Sequence, residues 1–190
     1  QCTPEGEPTI DCLAESHEVS DDGLTYTFKL REGVKWHDGQ PFTPEDVAWS
    51  IKMALKSTQI TSYFLNTFKA IEGAQDYLDG KADEISGIQI DGNTLTIKMA
   101  QPSSLMFLTM ANWMPYPTHL LEDEPPETLH QADFWEMPVG TGMYKCIEFV
   151  PGEYAILERF EDYYGEKPLI KHIKASNYKE GDYVTKCQAN

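Results

Sequence analysis

Basic residues are scarce in this chain of 190 residues: 15 lysines and arginines stand against 31 aspartates and glutamates, for a formal charge of −16. That deficit argues against nucleic-acid binding, because phosphate recognition needs a basic footprint and this field would repel the backbone. Long apolar runs are missing too. No segment approaches the roughly 18 apolar residues of a membrane span, and the longest, 104–111, reads as a buried helix. The four cysteines (Cys2, Cys12, Cys146 and Cys187) lie too far apart for a CxxC metal pattern. Their spacing leaves a Cys2–Cys12 disulfide, reduced buried thiols and surface thiols all open. His17, His37, His119, His130 and His172 show neither HxxxH nor HExxH spacing, so no metal site is expected. A GxSxG elbow and a GxxxxGK[ST] loop are absent as well, which leaves a serine hydrolase and a P-loop unsupported. No cofactor is called for. The opening is polar, rich in Pro and Glu, and lacks Met, which points to a processed or excised chain rather than a signal peptide.

What is present is enough for a folded core. Apolar residues make up 41% and aromatic residues 12% of the chain, and its length suits one large domain or two small ones. Residues 1–12 read as an irregular lead-in. Within 25–31, Tyr26, Phe28 and Leu30 alternate with Thr27, Lys29 and Arg31, which predicts a half-buried strand after the Asp21-Asp22-Gly23 turn. A short aromatic strand is expected around Trp36.

A helix starts at Thr43, with Thr43 as N-cap, Pro44 in the first position, Glu45 in the first turn and Asp46 at the capping-box position. Val47, Ile51, Ala54 and Leu55 then follow at helical spacing. A second helix is predicted over 67–78 with Phe68, Ile71, Ala74 and Leu78 on one side. Ile88 and Ile90, the turn at Asp91-Gly92-Asn93, and Leu95, Ile97 and Met99 spell a hairpin. A short helix over 103–111 and a loop-rich stretch over 112–137 follow. Strands are expected over 143–150, 154–160 and 170–175, and a helix over 179–189. Gly140-Thr141-Gly142 lacks the third glycine of a phosphate loop and leads into a strand, so it reads as a tight bend needing permissive φ. The mixture is α+β (mixed α/β).

Glu122 and Glu124, adjacent acids in a Pro-rich loop, read as a solvated charge run rather than an acid–base pair. The aromatics Trp36, Trp49, Tyr63, Phe64, Trp113, Tyr116, Trp135 and Tyr144 fall near loops and element ends. There, amphipathic rings either line a binding cleft or pack in the core. From the residues alone, the chain is an acidic globular protein that binds rather than catalyses.

The order of local motifs goes further. Leu13-Ala14-Glu15-Ser16 is followed by Val19-Ser20-Asp21-Asp22-Gly23-Leu24-Thr25-Tyr26-Thr27-Phe28-Lys29-Leu30-Arg31, Gly33-Val34-Lys35-Trp36-His37-Asp38-Gly39 and Pro41-Phe42-Thr43-Pro44-Glu45-Asp46-Val47. Downstream come Pro138-Val139-Gly140-Thr141-Gly142-Met143-Tyr144, Leu157-Glu158-Arg159 and Asp162-Tyr163-Tyr164-Gly165-Glu166-Lys167-Pro168. From residue 13 onward this resembles the extracellular solute-binding proteins of family 5, the peptide- and nickel-binding receptors of ABC importers. His17 stands where the family usually has Trp, Met143 where it has Pro, Phe160 where it has Asn, and Tyr164 where it has Trp.

The resemblance implies part of a type II periplasmic-binding-protein fold: an accessory α+β subdomain over 13–135 and part of the first lobe over 136–190, with the second lobe absent. It implies a fragment of a receptor that captures extracellular peptides for import without breaking a bond. A nickel, metal-chelate or sugar receptor on the same scaffold is the alternative. From other classes, an acidic interaction module or a secreted hydrolase is weighed against it. The implied partners are a peptide or other small solute and the membrane permease of the importer, with the receptor a monomer, extracellular or periplasmic, anchored as a lipoprotein. In peptide-binding relatives an aromatic residue after the capped helix approaches the peptide, and Tyr63 falls at the matching distance from Asp46. Trp36, Trp113 and Tyr116 are further candidates for ligand contact.

Overall fold

A computed structural model describes residues 12–177. The chain divides into two units, one comprising residues up to Val34 together with Pro41–Ala132, the other Lys35–Gln40 together with the chain from Asp133 onward.

The first unit is built on an antiparallel sheet of four strands, β1 (Ala14–Val19), β2 (Thr25–Leu30), β3 (Ile88–Asp91) and β4 (Thr94–Lys98), in the order β1-β2-β4-β3. The alternation in β2 does what its pattern dictates: Tyr26, Phe28 and Leu30 are buried and stand one face apart from Thr27 and Lys29. Tyr26 pairs with Ile97, and Phe28 with Leu95, so the two central strands bring their large side chains together. The Tyr26 hydroxyl, carried into this apolar layer, donates to the Ser103 carbonyl at 2.8 Å. Ile88 and Ile90, whose alternation would suit a core-facing strand, are only half-buried, because β3 is an edge strand with a neighbour on one side only.

Helix α1 (Pro44–Lys56) begins as its sequence requires: Thr43 is extended, Pro44 takes the first position, and the Thr43 N–H donates to the Asp46 carboxylate at 3.0 Å. Its buried side carries Val47, Ile51, Ala54 and Leu55. The helix expected over 67–78 is two helices, α2 (Ser62–Lys69) and α3 (Ala74–Leu78). The break has a backbone cause. Residues 71–73 abandon the helix to extend the sheet edge, where Ile71 bridges Met99, the Glu72 N–H donates to the Lys98 carbonyl, and the Gly87 N–H donates to the Glu72 carbonyl. Gly73, at φ +79°, then turns the chain into α3. The shorter helices α4 (Met106–Asn112) and α5 (Thr118–Leu121) and two 3₁₀ turns, Leu129–Gln131 and Asp133–Glu136, occupy the region read as loop-rich and its approach. Met106, Leu121 and Leu129 close the core.

The second unit is an antiparallel sheet of β5 (Tyr144–Val150), β6 (Tyr154–Arg159) and β7 (His172–Ser176), in that order. No strand forms around Trp36. Residues 36–40 instead close a turn, with the Gly39 N–H donating to the Trp36 carbonyl and the Trp36 N–H to the Gln40 carbonyl. Gly140 and Gly142 do not take up positive φ, so the bend before β5 is not a matter of glycine's left-handed freedom. Its hydrogen bonds to His37 hold it instead. The helix expected over 179–189 lies outside the described residues. No described helix is long and apolar enough to cross a membrane.

Candidate functional site

Three of the four aromatic candidates meet in the first unit. The Tyr63 and Phe64 rings, on the first turn of α2, cross edge to face at 5.2 Å. Phe64 lies 5.2 Å from Trp113, and Phe68, one helical turn further on, meets Trp113 edge-on at 4.9 Å. Trp113 continues to Tyr116 at 5.8 Å. The rings therefore run in a chain from the start of α2 to the connection between α4 and α5, with spacings and tilts favoured by aromatic quadrupoles. Phe68 is fully buried and is the root of the cluster, whereas Tyr63, Trp113 and Tyr116 are half-buried. Trp36 lies in the second unit at 2% exposure, a packed ring rather than one presented to solvent.

Polar side chains hold this arrangement in place. On α1, the Ser50 hydroxyl donates to the Asp46 carbonyl at 2.6 Å and accepts from the Tyr116 N–H at 2.7 Å. The Asp46 carboxylate, besides taking the Thr43 N–H, accepts from the Thr118 N–H at 3.2 Å. The 116–118 segment is thus sewn to the start of α1, and a charge-assisted acceptor at that helix N-terminus also suits the dipole. Between α4 and α2, the Thr109 hydroxyl donates to Thr67 Oγ1 at 3.1 Å, and the Thr67 hydroxyl donates to the Tyr63 carbonyl at 3.2 Å. Both threonines are buried. Ser50 and the second duty of Asp46 were not anticipated from sequence. The available signal was a small polar residue at 50 amid the apolar side of the helix, one turn after the acid.

Several polar atoms around the cluster are left over. The Tyr63 hydroxyl, Trp113 Nε1 and Thr118 Oγ1 are shut off from solvent and find no hydrogen-bond partner among the described residues. Buried polar groups are normally paired, so these three atoms, in residues that the ring chain and the 116–118 segment link together, mark hydrogen-bonding capacity that the described residues leave unused. Burial also raises the Tyr116 hydroxyl above the ordinary tyrosine range. Among the described residues no group of three or more His, Cys, Asp or Glu side chains converges as a metal site would require.

The model for bacterial extracellular solute-binding proteins, family 5 Middle, matches residues 10–188. The chain belongs to this family. The family 5 chain is 34% identical over 168 residues to a candidate ABC transporter peptide-binding protein of Brucella ovis, covering 88% of this chain and 29% of that protein. It is 31% identical over 174 residues to the dipeptide-binding protein of Escherichia coli K12, covering 85% and 31%. Among solved structures, a periplasmic oligopeptide-binding protein of Borrelia burgdorferi superposes with a TM-score of 0.77 at 29% identity, over 100% of this chain and 38% of that one. A Campylobacter jejuni protein in complex with Ni(L-His) superposes with a TM-score of 0.75 at 27% identity, over 94% and 33%. The fold is accordingly a mixed α/β portion of the type II periplasmic-binding-protein fold, and the family 5 chain spans about 30% of the length of the curated relatives it matches.

Proposed function

We propose that the family 5 chain forms one side of a peptide site in the solute receptor of an ABC importer, with Tyr63, Trp113 and Tyr116 as the contacting residues. The observation that carries this reading is the ring chain itself, in which Tyr63, Trp113 and Tyr116 stay half-buried while Phe68 roots them in the core. Half-exposed rings pack on side chains of any sequence, which suits a site that takes peptides of mixed composition. Two relatives named for peptides and dipeptides support the ligand class. In this reading residues 13–135 are the accessory subdomain and 136–190 part of the first lobe. The receptor is a monomer outside the cytoplasmic membrane, held there by a lipid anchor and delivering solute to a permease. Capture and release need no bond to break, so the protein is not an enzyme.

A metal-chelate ligand is the second reading, because a structural neighbour carries Ni(L-His). Calorimetric titration of the 190-residue chain with mixed di- to hexapeptides, and separately with nickel and L-histidine, distinguishes the two. About a third of the relatives' length cannot desolvate a ligand fully, so the peptides should bind near 1 mM, about −4 kcal/mol. Tighter binding of the nickel chelate, or no saturable heat from peptides, would overturn the peptide assignment.

A further inference from the structure

The two most recognisable motifs of the second unit, Lys35-Trp36-His37-Asp38-Gly39 and Gly140-Thr141-Gly142, are joined through one side chain. The His37 N–H donates to the Gly140 carbonyl at 2.8 Å, and the Gly140 N–H donates back to His37 Nδ1 at 3.1 Å. His37 Nε2 lies 2.9 Å from the Gly142 carbonyl. An amide N–H can only donate and a carbonyl can only accept. Nδ1 must therefore be bare and Nε2 must carry the proton, which is a single neutral tautomer.

The ring is half-buried, and the Phe160 ring, itself 7% exposed, stands edge-on to it at 5.1 Å. The charged groups that act on it are few. Lys145 on β5 opposes a positive imidazole, and Asp38 on the same loop favours one. Lys35, also on the loop, is paired with Asp162 at 2.8 Å in solvent.

We propose that His37 is a proton-sensitive fastener: neutral, it rivets the 35–40 loop to the bend that leads into β5, and protonated, it releases it. A proton on Nδ1 turns the acceptor of the Gly140 N–H into a second donor aimed at that N–H, so the bond becomes a repulsion. Burial, more than Lys145, holds the folded His37 below the ordinary histidine value, against the pull of the Gly142 carbonyl and Asp38. The freed or unfolded loop has a histidine near pH 6.5 and takes up a proton before the fastened one does. The stabilisation is thus complete above about pH 6.5 and is lost as pH falls from there through the lowered folded value.

The test uses the 190-residue chain labelled with ¹⁵N. Long-range ¹H–¹⁵N spectra report the tautomer of His37, and amide exchange of Gly140, corrected for its intrinsic rate, reports the fastener. His37 should show the Nε2–H tautomer at neutral pH. Opening at Gly140 should increase by up to about tenfold for each pH unit below about 6.5, until His37 itself titrates. In His37→Gln, whose amide offers both an acceptor and a donor but does not titrate, Gly140 protection should be flat over the same range. Gly140 protection unchanged through the wild-type His37 titration would overturn the proposal. So would an Nδ1–H tautomer, or an equal pH response in the glutamine variant. If that variant fails to fold, the tautomer and the wild-type exchange profile decide between the same two outcomes.

Discussion

Truncating Phe28 to alanine probes the first unit where its argument is most exposed. Phe28 is 6% exposed, sits opposite Leu95 on β4 and His17 on β1, and borders a cavity of about 120 Å³ lined also by Val47, Phe107, Met110 and Trp113. Losing the ring opens on the order of 100 Å³ more, which at about 24 cal/mol per Å³ costs about 2.4 kcal/mol, and the lost transfer of the ring from water adds about 2 kcal/mol. The neighbours are held by the sheet and by α1, so little collapse can recover this. We expect a loss of about 4 kcal/mol in urea-denaturation midpoint analysis, a large share of the stability of a domain this size. Phe149→Ala, at 44% exposure in the second unit, should change the midpoint by no more than about 0.5 kcal/mol and serves as control. A Phe28→Ala cost below about 1 kcal/mol would refute the facing of β2 and the packing built on it.

Other outcomes follow from single contacts. Gly73→Ala should destabilise by about 1–3 kcal/mol in the same assay, because Gly73 sits at φ +79° and an added Cβ would lie 2.4 Å from Ser86 Oγ and 2.8 Å from its backbone nitrogen; a neutral result would show that the turn between α2 and α3 relaxes freely. Thr67→Val should cost about 1–3 kcal/mol by leaving the buried Thr109 hydroxyl without its acceptor. Adding Thr109→Val should cost less than the sum of the single changes, and strict additivity would mean that the pair does not interact.

Legibility in the sequence followed the strength of local pattern. β2, the β3–β4 hairpin and the start of α1 were readable because alternation, a Gly-containing turn and a cap each act over a few residues. β1 was not, since Ala14-Glu15-Ser16-His17-Glu18-Val19 carries no apolar alternation; as an edge strand it needs none, and it is held by pairing to β2. The division of the helix over 67–78 was hidden because Phe68, Ile71 and Ala74 keep helical spacing, while the force that breaks it comes from Lys98 and Met99, about thirty residues away. The same limit applies to the candidate site. Its aromatic residues could be named one by one, but their assembly depends on Ser50 and Asp46 reaching across to 116–118, a long-range tie that spacing does not encode. His17 shows the converse: its departure from the family's usual Trp was visible, and the structure places its ring 4.2 Å from Phe107, beside the cavity.

The central claim, that the aromatic chain is a peptide-contacting surface, is tested most directly by mapping chemical-shift changes in the ¹⁵N-labelled chain as a mixture of di- to hexapeptides is raised to several times about 1 mM. The account predicts saturable shifts concentrated at Tyr63, Phe64, the Trp113 indole N–H, Tyr116 and Thr118, and their loss in Tyr63→Ala. Shifts that gather elsewhere, or that persist unchanged in Tyr63→Ala, would contradict it.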